Sequence, residues 1–175
     1  MQKINVTSVV FWHLRTMRND DGKLLKADIV TFYVLPVLLA CGFYFLDWRV
    51  PKDAIELSVT VFSIFAALLL SVQVALYNVS LRPLSPPEDA KKRKAFEGYA
   101  AVRSAVLREL NDNIAYLILL AVVWVTILLG LHVLRCQGRL ASAAVFAMYI
   151  HFFLTLLMVV KRAGIVFSRE YEDPR

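Results

Sequence analysis

The chain has 175 residues, 59% of them hydrophobic, with a mean hydropathy of +0.60 and a formal net charge of +6. Soluble domains are about 45–50% apolar, so this composition argues against an ordinary water-soluble domain. The positive charge is explained by membrane topology, and no direct binding of nucleic acid is expected.

Four uncharged runs account for the excess of hydrophobic residues: 29–46, 57–81, 113–134 and 140–160. A helix of about 20 mainly apolar residues crosses the roughly 30 Å of bilayer hydrocarbon. We therefore predict an all-α, polytopic protein with four transmembrane helices. Its parts are an N-terminal arm at 1–26, a hairpin of spans one and two at 27–81, a basic helix at 82–112, a hairpin of spans three and four at 113–162, and a tail at 163–175.

The basic residues predict the orientation. Sixteen of the 20 Lys and Arg residues fall in the arm, in the 82–112 segment and in the stretch from Lys161 to Arg175, and four fall in the two short turns DWRVPKD and RCQGR. Basic residues are concentrated on the cytosolic side of membrane proteins. Both termini and the basic helix are therefore expected in the cytosol.

The arm contains an amphipathic segment, and the first span contains a proline. Residues 6–18 form an amphipathic segment that suits the plane of the membrane interface. Pro36, near the middle of span one, removes a backbone N–H and predicts a kink. Membranes tolerate such a proline when neighbouring groups satisfy the freed carbonyl.

Polar and small residues recur along one quarter of the surface of span two. Such a stripe lines a water-filled pore or allows two helices to approach closely. His151, near mid-depth in span four, is a buried hydrogen-bonded group or takes part in gating or proton movement. The residues assigned to pore lining or helix packing are Glu56, Thr60, Ser63, Ala67, Ser71, Asn78 and His151.

The segment 82–112 reads as the first half of a long helix that continues into span three. Pro86 and Pro87 suit its first turn, and an apolar stripe then recurs at three and four residues. This stripe packs against a partner protein, other copies of the chain or the arm, or else the helix lies flat on the bilayer. The predicted partner-binding residues are Phe96, Tyr99, Val102, Val106 and Leu110, and those for lipid head groups are Lys91, Lys92, Arg93 and Lys94.

Enzymatic signatures are absent: the sequence has no nucleophile elbow, phosphate-binding glycine loop, HExxH or CxxC. His13, His132 and His151 are expected at different depths, so no single metal site is predicted, and no cofactor either. The polar residues 111–113, at the start of span three, suit an interface cap, a hinge or a gate. The sequence therefore predicts that the protein is not an enzyme.

Three segments, LLKADIVTFYVLPVLLA, FSIFAALLLSVQVALYNVS and LRELNDNIAYLILLAVV, resemble small four-helix membrane proteins of bacterial anti-phage defence operons, most nearly the KwaA membrane subunits of Kiwa systems. The resemblance covers most of residues 24–162 and contains no catalytic motif. It implies a homo-oligomer in the bacterial inner membrane that acts with a cytosolic protein encoded beside it and perturbs or senses the membrane.

Two other classes of function fit the same spans. The first is a small ion channel or transporter that acts alone. Against a transporter, the two halves show no clear repeat and the spans hold no charged relay. The second is a membrane scaffold or immunity protein without transport. For the homo-oligomer, a tetramer or a number near it is expected, because a four-span chain encloses little volume of its own.

Overall fold

The computed structural model describes residues 6–17, 25–82, 86, 89–135 and 138–172. Within these residues the ordered elements are all helical, and four helices are long and apolar enough to cross a membrane. The predicted all-α class is confirmed, and the four predicted spans fall on these four helices. The elements are α1 (Thr7–Arg15), α2 (Lys26–Ile29), a π-helical turn (Val30–Val34), α3 (Leu35–Phe45), α4 (Lys52–Ser80), α5 (Ala90–Val133) and α6 (Arg139–Glu172).

Helix α5 is a single helix of 44 residues, roughly 65 Å long at 1.5 Å per residue. That is about twice the thickness of bilayer hydrocarbon, so its first half extends beyond the membrane-spanning part, as the continuous apolar stripe predicts. Helix α6 also continues past the predicted end of span four and reaches Glu172. Its last residues contain no proline before Pro174, so nothing ends the helix at residue 162.

The helices pack around α5. Helices α1, α4 and α6 all contact α5, and the first span contacts α6. Spans one and two are antiparallel, as a short connection requires, but α3 leans on α6 and does not pack along α4. The first predicted hairpin is therefore open in the described structure, whereas α5 and α6 of the second hairpin pack directly.

A regular apolar seam joins α4, α5 and α6. On α4 the buried apolar side chains recur every seven residues, and those of the seam on α5 and α6 recur at three, four or seven. This spacing of 3.5 residues is that of knobs-into-holes packing between nearly antiparallel helices. The seam residues are Ile55, Phe62, Leu69 and Leu76 on α4; Leu107, Leu110, Ile114, Leu117, Ala121 and Leu128 on α5; and Val145, Met148, Phe152 and Val159 on α6.

The bundle has two different ends. The basic end holds α1, the start of α5 and the last turns of α6, and the turn end holds the two short connections. In the described part of each connection, a residue two positions after the helix end lies in the left-handed region, Asp47 with φ 54° and Arg135 with φ 52°. The Asp47 carboxylate binds Arg139 at the start of α6, with Nη2 and Oδ2 2.7 Å apart.

The orientation of the bundle can be tested with single cysteines in a Cys41→Ser/Cys136→Ser background. We expect Lys92→Cys, at the basic end, to react with a membrane-impermeant maleimide only after the membrane is opened. Arg135→Cys, at the turn end, should react in intact spheroplasts. Labelling of Lys92→Cys from outside intact spheroplasts would reverse the predicted topology.

Candidate functional site

Helix α1 docks on the bundle through a histidine. His13 is the buried residue of this helix, with 0% of its surface exposed. Its neighbours Phe11, Trp12 and Leu14 are exposed. This is the reverse of a water-soluble amphipathic helix, whose apolar face points inward. The arrangement suits a helix in the membrane interface, where exposed apolar side chains meet lipid.

Asn113, also 0% exposed, connects α1 to α5. Its Oδ1 lies 2.7 Å from His13 Nδ1 and accepts the Thr16 hydroxyl at 3.0 Å, while its Nδ2 donates to the Glu109 carbonyl at 2.8 Å. Because Oδ1 can only accept, the His13 proton must be on Nδ1. The other ring nitrogen of His13, Nε2, is buried without a hydrogen-bond partner among the described residues.

Tyr116, one helical turn further along α5, lies between two histidines. The His13 ring stacks on it with centroids 3.8 Å apart and an interplanar angle of 3°. The Tyr116 hydroxyl is 2.8 Å from His151 Nε2. The expected separation of the histidines in depth is therefore wrong for this pair, since His13 and His151 contact the same side chain. Among the described residues no three His, Cys, Asp or Glu side chains gather into a metal site.

His151 replaces the amide that Pro36 lacks. Pro36 has no N–H to donate to the carbonyl four residues earlier, Phe32 O, and the backbone around Phe32 widens into the π-helical turn. His151 Nδ1 lies 2.7 Å from this carbonyl. A carbonyl only accepts, so Nδ1 carries the proton, and Nε2 must accept from the Tyr116 hydroxyl. The neighbour that satisfies the freed carbonyl is thus identified.

Arg162 closes the cluster at the basic end. Its Nη1 is 3.3 Å from Glu109 Oε2 and its Nη2 donates to the Thr16 carbonyl at 3.2 Å. One guanidinium therefore holds α6, α5 and the end of α1 together. We call the connected groups the polar cluster; they are His13, Thr16, Phe32 O, Glu109, Asn113, Tyr116, His151 and Arg162.

The polar cluster connects four parts of the chain through hydrogen bonds and ring stacking. Burial lowers the pKa of His13 to about 4, against the opposing hydrogen bond from Asn113. His13 is therefore neutral near pH 7. What the cluster can do is hold α1, the first span, α5 and α6 in one relative arrangement, and release α1 if His13 is protonated.

The residues predicted from sequence fall in three places. Of these, His151 joins the polar cluster. The stripe on α4 is exposed at all six positions, and the hydroxyl groups of Thr60, Ser63 and Ser71 bond to carbonyls of their own helix. At the turn end of this stripe, Glu56 lies 3.7 Å from His132.

The predicted partner-binding residues divide along α5. Leu110 is a seam residue and Val106 packs against the seam, so both belong to the bundle. Phe96 and Tyr99 are half-buried and Val102 is exposed. Of the predicted lipid-binding residues, Arg93 and Lys94 are exposed, and the side chains of Lys91 and Lys92 lie outside the described part of the structure.

Sequence reasoning missed His13, Tyr116 and Arg162. His13 lies in an amphipathic segment in which hydrophobic neighbours dominate the pattern, so its inward orientation has no periodic signal. The polar residues 111–113, which the sequence singles out at the start of span three, do lie at this site. Asn113 is the centre of the cluster, and Asn111 accepts a hydrogen bond from Gln73 of α4 at 3.1 Å.

Comparison with known proteins adds no family. Neither a protein-family model, nor a curated protein, nor a solved structure matches the chain.

The link between Pro36 and His151 predicts coupled effects on stability. His151→Phe should destabilise the bundle by about 1–2 kcal/mol, because it removes the imidazole that satisfies Phe32 O and that accepts from the Tyr116 hydroxyl. In a Pro36→Ala background the restored N–H can meet Phe32 O, so the same change should cost less. Unfolding free energies in bicelles measure the cycle, with exposed His132→Phe as the control. Costs that add within about 0.3 kcal/mol would contradict the link.

The low pKa of His13 predicts that docking of α1 depends on pH. Between pH 6.5 and about 4 a released His13 binds a proton and a docked one does not. Docking should therefore be strongest above pH 6.5 and weaken as the pH falls, by up to about 1.4 kcal/mol per pH unit. Hydrogen exchange of the α1 amides, corrected for intrinsic rates, should show protection lost over this range. In His13→Gln protection should not vary with pH; equal behaviour of the two proteins would exclude the mechanism.

Proposed function

We propose that the protein is a non-enzymatic inner-membrane subunit of a bacterial anti-phage defence system, and that it passes a membrane event to a cytosolic partner protein. The observation that carries this proposal is the continuity of α5. One helix includes the exposed segment beyond the end of α4, three residues of the polar cluster (Glu109, Asn113 and Tyr116) and the third span. The defence setting itself is supported by the sequence resemblance to KwaA-type subunits.

The partner is proposed to dock on the part of α5 that extends beyond α4. Arg103 donates to the carbonyl of Val79, close to the end of α4, so residues 96–102 lie past the end of that helix. Here Phe96 and Tyr99 offer two partly accessible aromatic rings beside Val102, which is 50% exposed. Aromatic residues are enriched at the centres of protein interfaces. The proposed docking surface is smaller than the five-residue stripe predicted from the sequence, because Val106 and Leu110 pack inside the bundle.

The basic residues at the start of α5 are proposed to hold this segment beside anionic head groups. Arg93 and Lys94 are exposed, and each basic residue near an anionic surface contributes about 1 kcal/mol. This orientation places the docking surface close to the membrane, on the cytosolic side that the excess of basic residues favours.

Assembly into a homo-oligomer, a tetramer or near it, is supported by the outward stripe on α4. In its middle part the hydroxyl groups of Thr60, Ser63 and Ser71 are satisfied within the helix, and the side chains from Ser63 to Ser71 on this stripe are small. A second helix can therefore approach closely without leaving a polar group unpaired. Since none of the described helices covers this face, another copy is the natural occupant.

An ion channel formed between copies is the second candidate. It is favoured by the same stripe, because the exposed residues Glu56, Thr60 and Asn78 place polar groups along the whole length of α4. A channel within one chain is not favoured, since these residues point away from the interior of the bundle. A stand-alone scaffold or immunity protein would need neither the stripe nor the docking surface.

Replacing both docking aromatics tests the proposal. The variant Phe96→Ser/Tyr99→Ser should insert and assemble normally, as judged by its mass in nanodiscs. It should lose at least about thirtyfold in affinity for a soluble protein encoded beside it, since an interface anchor contributes about 2 kcal/mol or more. Protection against phage should be lost as well.

A matched control is available at the turn end, where Tyr44 and Phe45 form another exposed aromatic pair. Tyr44→Ser/Phe45→Ser should keep partner binding and protection. If Phe96→Ser/Tyr99→Ser also keeps both, α5 has no docking role. If the Phe96→Ser/Tyr99→Ser variant differs from the wild type in ion conductance while partner binding is unchanged, the channel function replaces the proposal.

A further inference from the structure

A long groove of about 740 Å³ lies between α4 and α6. It exists because the first span leans on α6 and leaves the side of α4 uncovered. Phe43 of α3 and the connection 48–51 close it at the turn end, and its walls continue along both helices. The wall side chains include Ala54, Leu57 and Val61 on α4, and Phe146, Ile150 and Leu157 on α6.

The polar groups of the wall are already satisfied. Ser142 Oγ accepts the Val50 N–H at 3.0 Å, and the Ser58 and Tyr149 hydroxyl groups bond to each other. What the groove presents to an occupant along its length is therefore hydrocarbon and aromatic surface. A polar ligand would lose its hydration there without gaining hydrogen bonds, so the wall selects an apolar chain.

The length of the groove matches a lipid chain. From Ser142 to Leu157 the α6 wall rises roughly 22 Å at 1.5 Å per residue. One leaflet of a bilayer contributes about 15 Å of hydrocarbon, so an acyl chain entering from the turn end reaches along most of the wall. Leu57 and Leu157, at the edges, are exposed and leave the groove open sideways to the membrane.

The mouth of the groove carries positive charge. Asp47 is shared by two guanidinium groups, those of Arg139 and Arg49, so one positive charge is left over. The Arg49 side chain is 61% exposed and lines the groove. Beside it Trp48 stacks on Phe43 with centroids 4.8 Å apart, and a tryptophan in this position marks the level of the lipid head groups.

We propose that this groove binds one phospholipid of the leaflet at the turn end, with an acyl chain along the α4 and α6 wall and its phosphodiester on Arg49. The site is separate from the partner surface at the other end of the bundle, and it does not depend on the proposed function.

The full-length protein, purified from nanodiscs of mixed zwitterionic and anionic phospholipid into mild detergent, should retain one phospholipid per subunit in native mass spectrometry. Filling the groove with Ala54→Phe/Val61→Phe should reduce the retained lipid at least about tenfold. Equal retention by this variant, or no retained lipid in the wild type, would overturn the proposal. A change in subunit number in place of lipid loss would assign the groove to another copy of the chain and overturn it as well.

The matched control is Val72→Phe/Ala75→Phe, which makes the same two replacements on α4 beyond the groove. It should keep the lipid, and its thermal unfolding, compared with that of the filled variant, shows whether either bundle is damaged. Arg49→Gln should lower the preference for anionic over zwitterionic lipid about fivefold, as expected for one basic residue near a head group. An unchanged preference would refute the role of Arg49.

Discussion

The Phe32 carbonyl belongs to the first candidate span, so in a membrane it lies in the hydrocarbon layer, which contains no water. Its usual helical partner would be the N–H of residue 36, but residue 36 is a proline and has none. In such a layer every backbone polar group needs a partner from the protein, and here the partner is His151 Nδ1. This bond fixes the tautomer of His151, and Tyr116 must then donate to Nε2. The face of Tyr116 in turn receives His13. The docking of α1 is thus connected, group by group, to one missing N–H in the first span.

Two kinds of contact hold the bundle together, the apolar seam and the polar cluster, and they contribute differently to its stability. The apolar seam of α4, α5 and α6 packs well, but lipid chains are as apolar as leucine, so hydrophobicity alone does not make these helices prefer one another. The polar cluster has no equivalent replacement in lipid, because its amide, imidazole and guanidinium groups would be left unpaired. Shape complementarity therefore brings the long helices together, and the cluster selects the arrangement of the first span and α1 around them.

Much of the fold follows from local sequence patterns. The four spans, and the continuity of α5, could be predicted because runs of apolar residues and a repeated stripe are properties of neighbouring residues. The small residues of α4 do not indicate which of its sides is buried. The buried side instead carries larger apolar residues that recur every seven positions: Ile55, Phe62, Leu69 and Leu76. The polar cluster could not be predicted either: His13 and Asn113 are 100 residues apart, and their meeting depends on tertiary packing.

The continuity of α5 as one helix gives the molecule a mechanical property. Seventeen residues separate Asn113 from Phe96, which corresponds to a rigid arm of roughly 25 Å at 1.5 Å per residue. If the helix pivots at Asn113 by about 10°, the tip at Phe96 is displaced by roughly 4 Å, about the width of a side-chain contact. A reorientation of the third span too small to break the bundle is therefore large enough to make or break a contact at the far end of the arm.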